Sequence, residues 1–586
     1  MVRPCIITVW RFSGEIKNMM IKRFWYIVIA IIALGIESCG GSSPDVPPGD
    51  GDSPPYAVRA VNSMVKVTPI MDMDEFPTYI KIEGARGEHE AFQVMPLIND
   101  PERTIHNLRI EIHNLINGEQ IISKENITLF YEYYVKVTEP SDKGGRVGYW
   151  PDALIPLKNP FDVSASFPSP VWVDVNIPVD ASPGLYKGKL GFKTSDAGDY
   201  LFEYALEVWD ITFPKKKYIK ANFGLDQEDI KRVHGLNEDI ASPAGREISR
   251  KYARYLADRH ISTNCLPIIQ PVVALKPDRR GFLFDFTEME KDIKTFLDEY
   301  DLASFIFPLN RFDLYPTGCI GQGEAIFTSD FNARFIDYVE QASQYLADRG
   351  YLDRCFAQFI DEPYSFEQYE FIRDIDDVLK QARIKPAHMV PEQPKPDNPE
   401  FGSLLDYVDV FVMAVTVLRR DTEALVREGA ENKEEWIYTN AAVWPYPSIA
   451  IDKQGIETRL FVWFAYQHDF QGIFYSSVSD WSTVNPWENP LTFGHGMGNG
   501  CNCLLYPGIY CDEYTHQGDV DGPVGSIRLE LTRDGIEDAQ LLYILGQGAP
   551  VEEANVLMTD WNNYSSDPVE LLRIRSEIAQ LIMNNK

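Results

Sequence analysis

Beyond Lys217, eight short apolar runs alternate with segments of helical spacing, and that rhythm leaves few folds open. The runs are Ile219–Leu225, Thr263–Ile268, Ser304–Leu309, Cys355–Ile360, Pro386–Val390, Val408–Ala414, Glu435–Asn440 and Gly472–Val478. Each is short enough for a strand and apolar enough to be covered on both faces. Between them, Ile248, Tyr252, Tyr255 and Leu256 form one helical stripe, and Met289, Ile293, Phe296 and Leu297 form a second. Ile456, Leu460, Trp463 and Phe464 repeat the pattern. Eight strands with crossover helices is the count of a (β/α)8 TIM-type barrel, here spanning 215–550, with 551–586 as a C-terminal helical extension. An open doubly wound sheet is the alternative. No glycine-rich nucleotide loop follows the first run, so the barrel is preferred and no cofactor is expected.

Upstream the period changes. Val171–Ile177 and Tyr200–Val208 alternate apolar and polar residues, and turn signals such as Ser182-Pro183-Gly184 separate such segments. With no long amphipathic helix between 56 and 214, this region reads as a β-sandwich, giving a multidomain chain. Packing against the barrel is its expected role, with glycan binding as the alternative.

The first 39 residues read as a leader. Lys22 and Arg23 precede an apolar run from Phe24 to Ile36 that ends at Cys39, and Met19 or Met20 is the expected start. A basic start, a short apolar stretch and then cysteine is a secretion signal, too short for a comfortable membrane span. It resembles the bacterial lipoprotein signal, in which lipidated Cys39 becomes the new N-terminus, although Glu37 departs from that pattern; a non-cleaved membrane anchor is the rival. Fifteen of the sixteen residues from 40 to 55 are Gly, Ser, Pro or Asp, which suits a tether. The expected address is exported and lipid-anchored, at the bacterial outer membrane, the cell surface or the periplasmic face.

A net charge of −32 repels phosphate backbones and excludes nucleic acid as a partner. Cys501, Cys503 and Cys511 lie close together with His495 and His516 beside them. The paired C-x-x-C knuckles of zinc sites are missing, so a buried thiol cluster or one disulfide is expected there, and no metal.

Barrel active sites lie at the C-terminal ends of the strands. The fourth run ends Gln358-Phe359-Ile360 and enters Asp361-Glu362-Pro363. Ser365 and Gln368 then have capping-box spacing, and Ile372, Ile375 and Leu379 supply a buried helix face. The two acids are thus fixed between a strand and a helix. An Asp-Glu pair alone is commonly a solvated helix entry; its place at a strand end singles this one out. The seventh run leads into Tyr438, Asn440, Trp444 and Tyr446, and the eighth leads through Tyr475 to Asp480, Trp481 and Trp487. Aromatic faces stack on the apolar C–H face of a pyranose, so rings gathered at two neighbouring strand ends suggest a sugar platform.

The span from about 355 to 545 resembles the catalytic domain of family 123 glycoside hydrolases. The match is carried by Phe359-Ile360-Asp361-Glu362-Pro363, Trp436–Thr439, Gly472–Tyr475 continuing to Trp481, Leu504–Gly508 and the long string Ser526–Asp538. Gln471 and Asn499 stand where many relatives have acidic residues. The resemblance implies exo-acting, retaining hydrolysis of terminal β-linked N-acetylgalactosamine, with the substrate's acetamide as nucleophile and an oxazolinium intermediate. It implies Glu362 as general acid/base, Asp361 as the group that orients and stabilises the acetamide, Tyr475 as a donor to the acetamide oxygen, and Trp481 as the stacking ring. Tyr438, Asn440, Trp444 and Asp480 complete the expected sugar contacts. A mechanism with a protein nucleophile would instead draw on Glu392 or Asp480. A β-N-acetylglucosaminidase and a non-catalytic glycan-binding surface lipoprotein remain the alternatives. Arg528, Glu530, Arg533 and Asp534 are expected to form a buried ion network closing the barrel.

Overall fold

The computed structural model describes residues 55–585 apart from 237–241, 267, 269, 279–280, 310–325, 420–422 and 440–443. The leader, Cys39, nearly all of the tether, and Asn440 lie outside the described residues.

A strand overlaps each of the eight runs, in the second only at Thr263: β1 Lys220–Phe223, β2 Ser262–Thr263, β3 Phe305–Ile306, β4 Cys355–Gln358, β5 Ala387–Val390, β6 Val410–Ala414, β7 Glu434–Tyr438 and β8 Gly472–Tyr475. They make one parallel sheet in the order β2-β1-β8-β7-β6-β5-β4-β3, so β8 closes back on β1. Only the β2–β3 seam lacks a ladder, and these two end strands approach one another, leaving a nearly closed barrel. Phe356, Met389, Val410, Val412, Trp436, Tyr438 and Phe474 fill its interior as one buried cluster. A side chain at Gly472 would meet the Trp436 ring at 2.4 Å, so glycine is what lets the indole lie there.

Helices Ser329–Ala347 and Phe366–Leu379 flank β4, and Gly455–Gln467 precedes β8. The connections around β6 depart from the expected strand–helix regularity. Only a 3-10 turn, Pro399–Phe401, lies between β5 and β6, and a one-turn helix, Glu423–Val426, lies between β6 and β7. Pro391, Pro394, Pro396 and Pro399 explain the first departure, because each removes a helical donor and clashes with the preceding turn.

Two sheets of the N-terminal half enclose a second core that includes Phe92, Val173, Leu190, Phe202 and Tyr204. The first sheet is not built from N-terminal residues alone. Strands Leu505–Pro507 and Pro523–Ser526, from beyond β8, extend it, with Gly525 opposite Leu154. Helix Ile527–Gly546 follows and is buried on every side through Leu542. It crosses helix Gly455–Gln467 at Gly535, where a Cβ would meet Val462 at 2.8 Å.

The ionic motif on that helix is buried as expected, but it joins elements rather than closing the barrel. Arg528 donates to Asp152 of the sandwich through Nε and Nη2, both at 2.8 Å, and to the carbonyls of Ile449, Gly500 and Cys503. Arg533 reaches Asp174 at 2.9 Å as well as Glu530 and Asp534. Arg575 of the C-terminal helix Pro568–Asn584 links Glu88 and Glu90 to Asp538. The sandwich, the long helix and the C-terminal helix are therefore locked together by charge-assisted hydrogen bonds.

Candidate active site

The turn after β4 carries the acids. Ser365 caps helix Phe366–Leu379 with both halves of a capping box present, and Ile372, Ile375 and Leu379 are buried beneath it. The turn is thereby anchored at both ends, and the strain falls on Glu362, whose φ is +41° immediately before Pro363. Such a backbone persists only where the surroundings impose it. Gln358 Nε2 donates to Asp361 Oδ1 at 3.4 Å, and the Tyr438 hydroxyl donates to Glu362 Oε1. Burial, then the charge of Glu362, holds the Tyr438 phenol well above its usual range, so it is a fixed neutral donor.

Glu362 stands where two cavities meet. One, of about 800 Å³, is lined by Tyr364, Tyr369, Glu392, Asp397 and Phe401 among others. The other, of about 360 Å³, is lined by Asp361, Thr439, Phe474, Ser476, Phe493 and Asn502 among others. Glu362, Pro391, Ala414, Thr416 and Tyr438 border both, so the pair forms one cleft across the ends of β4 to β8. Its size is that of a small-ligand site.

Glu392, just beyond β5, accepts the Gln393 N–H at 2.8 Å and interacts with the Tyr369 hydroxyl. Burial, reinforced by the charges of Asp397 and Glu362, pushes its carboxyl up to about 7.

Of the residues singled out from the sequence, Asp361, Glu362 and Tyr438 come together in this cleft. Tyr475 and Trp481 do not line it, which corrects the roles expected of them. Strand alternation explains Tyr475: Tyr438 and Phe474 share the barrel interior, so Tyr475 faces outward, 1% exposed, its hydroxyl accepting the Asn502 N–H. It stands behind the wall to which Asn502 belongs. Trp481 is 3% exposed, its indole N–H spent on the Leu505 carbonyl. Trp444 is half-exposed under Lys143 and Asp480 bonds Ser482; neither borders the cavities. Tyr446 and Trp487 are buried, donating to the carbonyls of Leu418 and Pro507. Gln471 and Asn499 also lie off the cleft, Gln471 bonding Glu435 and Asn499 bonding Asp452. Besides Tyr438, the aromatic residues Tyr364, Tyr369, Phe401, Phe474 and Phe493 border it, and none of these five was singled out as a site residue from the sequence, although Tyr364 is two residues from the acid.

Cys501, Cys503 and Cys511 are buried thiols outside any disulfide, and burial pushes them up to about 12. Among the described residues, no group of three or more His, Cys, Asp or Glu side chains is placed to hold a metal ion.

Two family models match the chain. The glycoside hydrolase 123 catalytic domain matches residues 268–545, and the glycoside hydrolase 123 N-terminal domain matches residues 73–194. In structure the chain is similar to a family 123 glycoside hydrolase from Clostridium perfringens, described for glycolipid glycan hydrolysis. The TM-score is 0.63 at 14% identity, covering 90% of this chain and 97% of that one. A family 39 glycoside hydrolase from Bacteroides cellulosilyticus aligns at a TM-score of 0.31 and 10% identity, covering 70% and 77% of the two chains, too low to carry an argument. No curated protein matches the chain in sequence.

Proposed function

Because this chain belongs to glycoside hydrolase family 123, we propose that it releases terminal β-linked N-acetylgalactosamine from glycans or glycolipids, with retention, by substrate-assisted catalysis. The observation that carries the reading is the adjacent Asp361–Glu362 pair at the end of β4, opening into a single cleft. Glu362 protonates the leaving oxygen and later deprotonates the incoming water. Asp361 accepts the acetamide N–H, aims the carbonyl oxygen at the anomeric carbon, and stabilises the positive charge that develops. Tyr438 fixes the Glu362 carboxyl during both steps. The barrel is read as a (β/α)8 type with shortened connections at β6.

Glu392 is the rival nucleophile, since it lines the same cleft. A nucleophilic carboxylate must be ionised. Burial holds Glu392 near 7, and the Gln393 N–H already occupies one of its oxygens. It suits a binding wall better than an attacking group.

Incubation with aryl β-N-acetylgalactosaminide and aryl β-N-acetylglucosaminide tests the reading. Turnover of the galacto compound, and little of the gluco compound, is the expected result. The reverse preference marks a glucosaminidase, and binding without turnover of either marks a glycan-binding protein.

The address belongs to the same proposal: export and lipid anchoring through Cys39. Cys39→Ala should abolish incorporation of labelled fatty acid and move the protein out of the membrane fraction; equal labelling with and without Cys39 contradicts it.

A further inference from the structure

Four aromatic residues line the larger cavity, and three of them are already engaged by the protein. Tyr438 is buried and donates to Glu362. Tyr369 is buried too, its hydroxyl interacting with Glu392 and its ring lying 5.1 Å from that of Phe401. The fourth, Tyr364, is 81% exposed. Among the described residues its hydroxyl has no hydrogen-bond partner, and its ring has no aromatic or cationic neighbour.

An exposed ring is ordinary on a protein surface, but this one has a fixed base. Pro363 precedes Tyr364, and the Tyr364 N–H donates to Gln368 Oε1 at 2.8 Å. Ser365, the next residue, caps the helix, and Gln368 is the other half of that capping box. The backbone is therefore held by the same bonds that anchor the acid turn, while the ring stays in water at the wall of the cleft. Apolar surface left in water is stabilised when a ligand's apolar face covers it.

The place of the ring relative to the acid says which part of a ligand that is. Glu362 protonates the oxygen that joins two sugar units, so one unit lies on each side of it. Asp361 borders only the smaller cavity and Tyr364 only the larger. The ring bearing the acetamide thus belongs to the smaller cavity, and the leaving group to the larger. Two residues of chain span at most about 7 Å, the scale of one sugar unit, so Tyr364 stands beside the first unit of the leaving group.

We propose that the larger cavity is a subsite for a second pyranose, the first sugar of the leaving group, whose apolar C–H face stacks on the Tyr364 ring. The inference rests on the glycosidase reading and deepens it: the substrate class is a terminal β-linked N-acetylgalactosamine joined to another sugar rather than to a simple alkyl group. A galactose suits the platform, because its axial C4 hydroxyl leaves the C–H bonds of C3, C4 and C5 together on the opposite face.

The test measures kcat/KM for two substrates with the whole protein and with variants at Tyr364. One substrate is β-N-acetylgalactosaminyl-galactose; the other is β-N-acetylgalactosaminyl azide, whose leaving group has no ring to stack. Tyr364 is exposed, so alanine there removes no core contact. In Tyr364→Ala the ratio of disaccharide to azide should fall by roughly 3- to 10-fold, the range of one stacked ring pair. Tyr364→Phe keeps the ring face and should keep the ratio. An unchanged ratio in Tyr364→Ala overturns the inference, even where both rates drop together, since that result reports damage to the acid turn. An equal fall in Tyr364→Phe also overturns it, because the contact would then be a hydrogen bond from the phenol. If neither compound is cleaved, the glycosidase reading fails instead, and titration calorimetry of the disaccharide decides the subsite. Weaker binding by Tyr364→Ala supports it; equal affinities, or no binding to either protein, overturn it.

Discussion

Glu362→Gln should lower turnover of natural glycans by on the order of 10²–10⁴-fold, the range that a positioned proton donor contributes. The residue earns this role by place: it follows β4, borders both halves of the cleft, and is held by the Tyr438 hydroxyl in a backbone conformation few residues adopt. Glutamine keeps the size and accepts the same hydrogen bond, so the loss reports proton transfer rather than collapse of the turn. The defect should depend on the leaving group. An aryl glycoside with a very acidic phenol departs without protonation, so its glycosylation step should be nearly spared, whereas an alkyl or sugar leaving group should suffer fully. Near-normal turnover of natural glycans by this variant would end the assignment.

The second large effect is on stability. Arg528→Met should destabilise the protein by about 3–5 kcal/mol, measured as a shift in the denaturant midpoint at unchanged slope. Arg528 and Asp152 are both fully buried, and the guanidinium also satisfies three backbone carbonyls. Methionine fills much of the volume but strands the Asp152 carboxylate, whose remaining side-chain partner is the Tyr506 hydroxyl at 2.6 Å. The loss is a large share of the roughly 5–15 kcal/mol that holds a folded domain together. Adding Asp152→Leu to the variant removes the stranded charge and should recover part of the loss. A midpoint unmoved by Arg528→Met would mean that the junction does not rest on this pair.

The barrel strands were legible because the eight runs are short, mainly apolar and separated by segments of helical spacing, although Thr263–Ile268 and Glu435–Asn440 also carry polar residues. The acid turn was legible because Ser365 and Gln368 announce a helix start directly after a strand end. What escaped was the direction of side chains. Tyr475 and Phe474 are neighbours in one strand, and only parity decides which faces inward. Gly472 beside Trp436 sets that parity, a signal present in the sequence only once β7 and β8 are known to pair. Trp481 escaped because an indole near a strand end serves a core as well as a sugar. Glu392 entered only as a rival nucleophile, because its burial and its contact with Tyr369 arise from packing between β5 and the helix after β4. The use of Leu505–Pro507 and Pro523–Ser526 to extend the sandwich was illegible for a similar reason. Strand pairing across several hundred residues leaves no local pattern.

The central claim, that the acetamide itself attacks the anomeric carbon, is tested most directly by removing it from the substrate. Aryl β-galactoside, with hydroxyl in place of N-acetyl, should be nearly inert where the aryl β-N-acetylgalactosaminide is hydrolysed. A thiazoline mimic of the bicyclic intermediate should bind far more tightly than the product sugar, since it resembles the high-energy species. Brisk hydrolysis of the plain galactoside, with a fluorosugar trapped covalently on Glu392 or Asp480, would contradict the account and assign the attack to the protein.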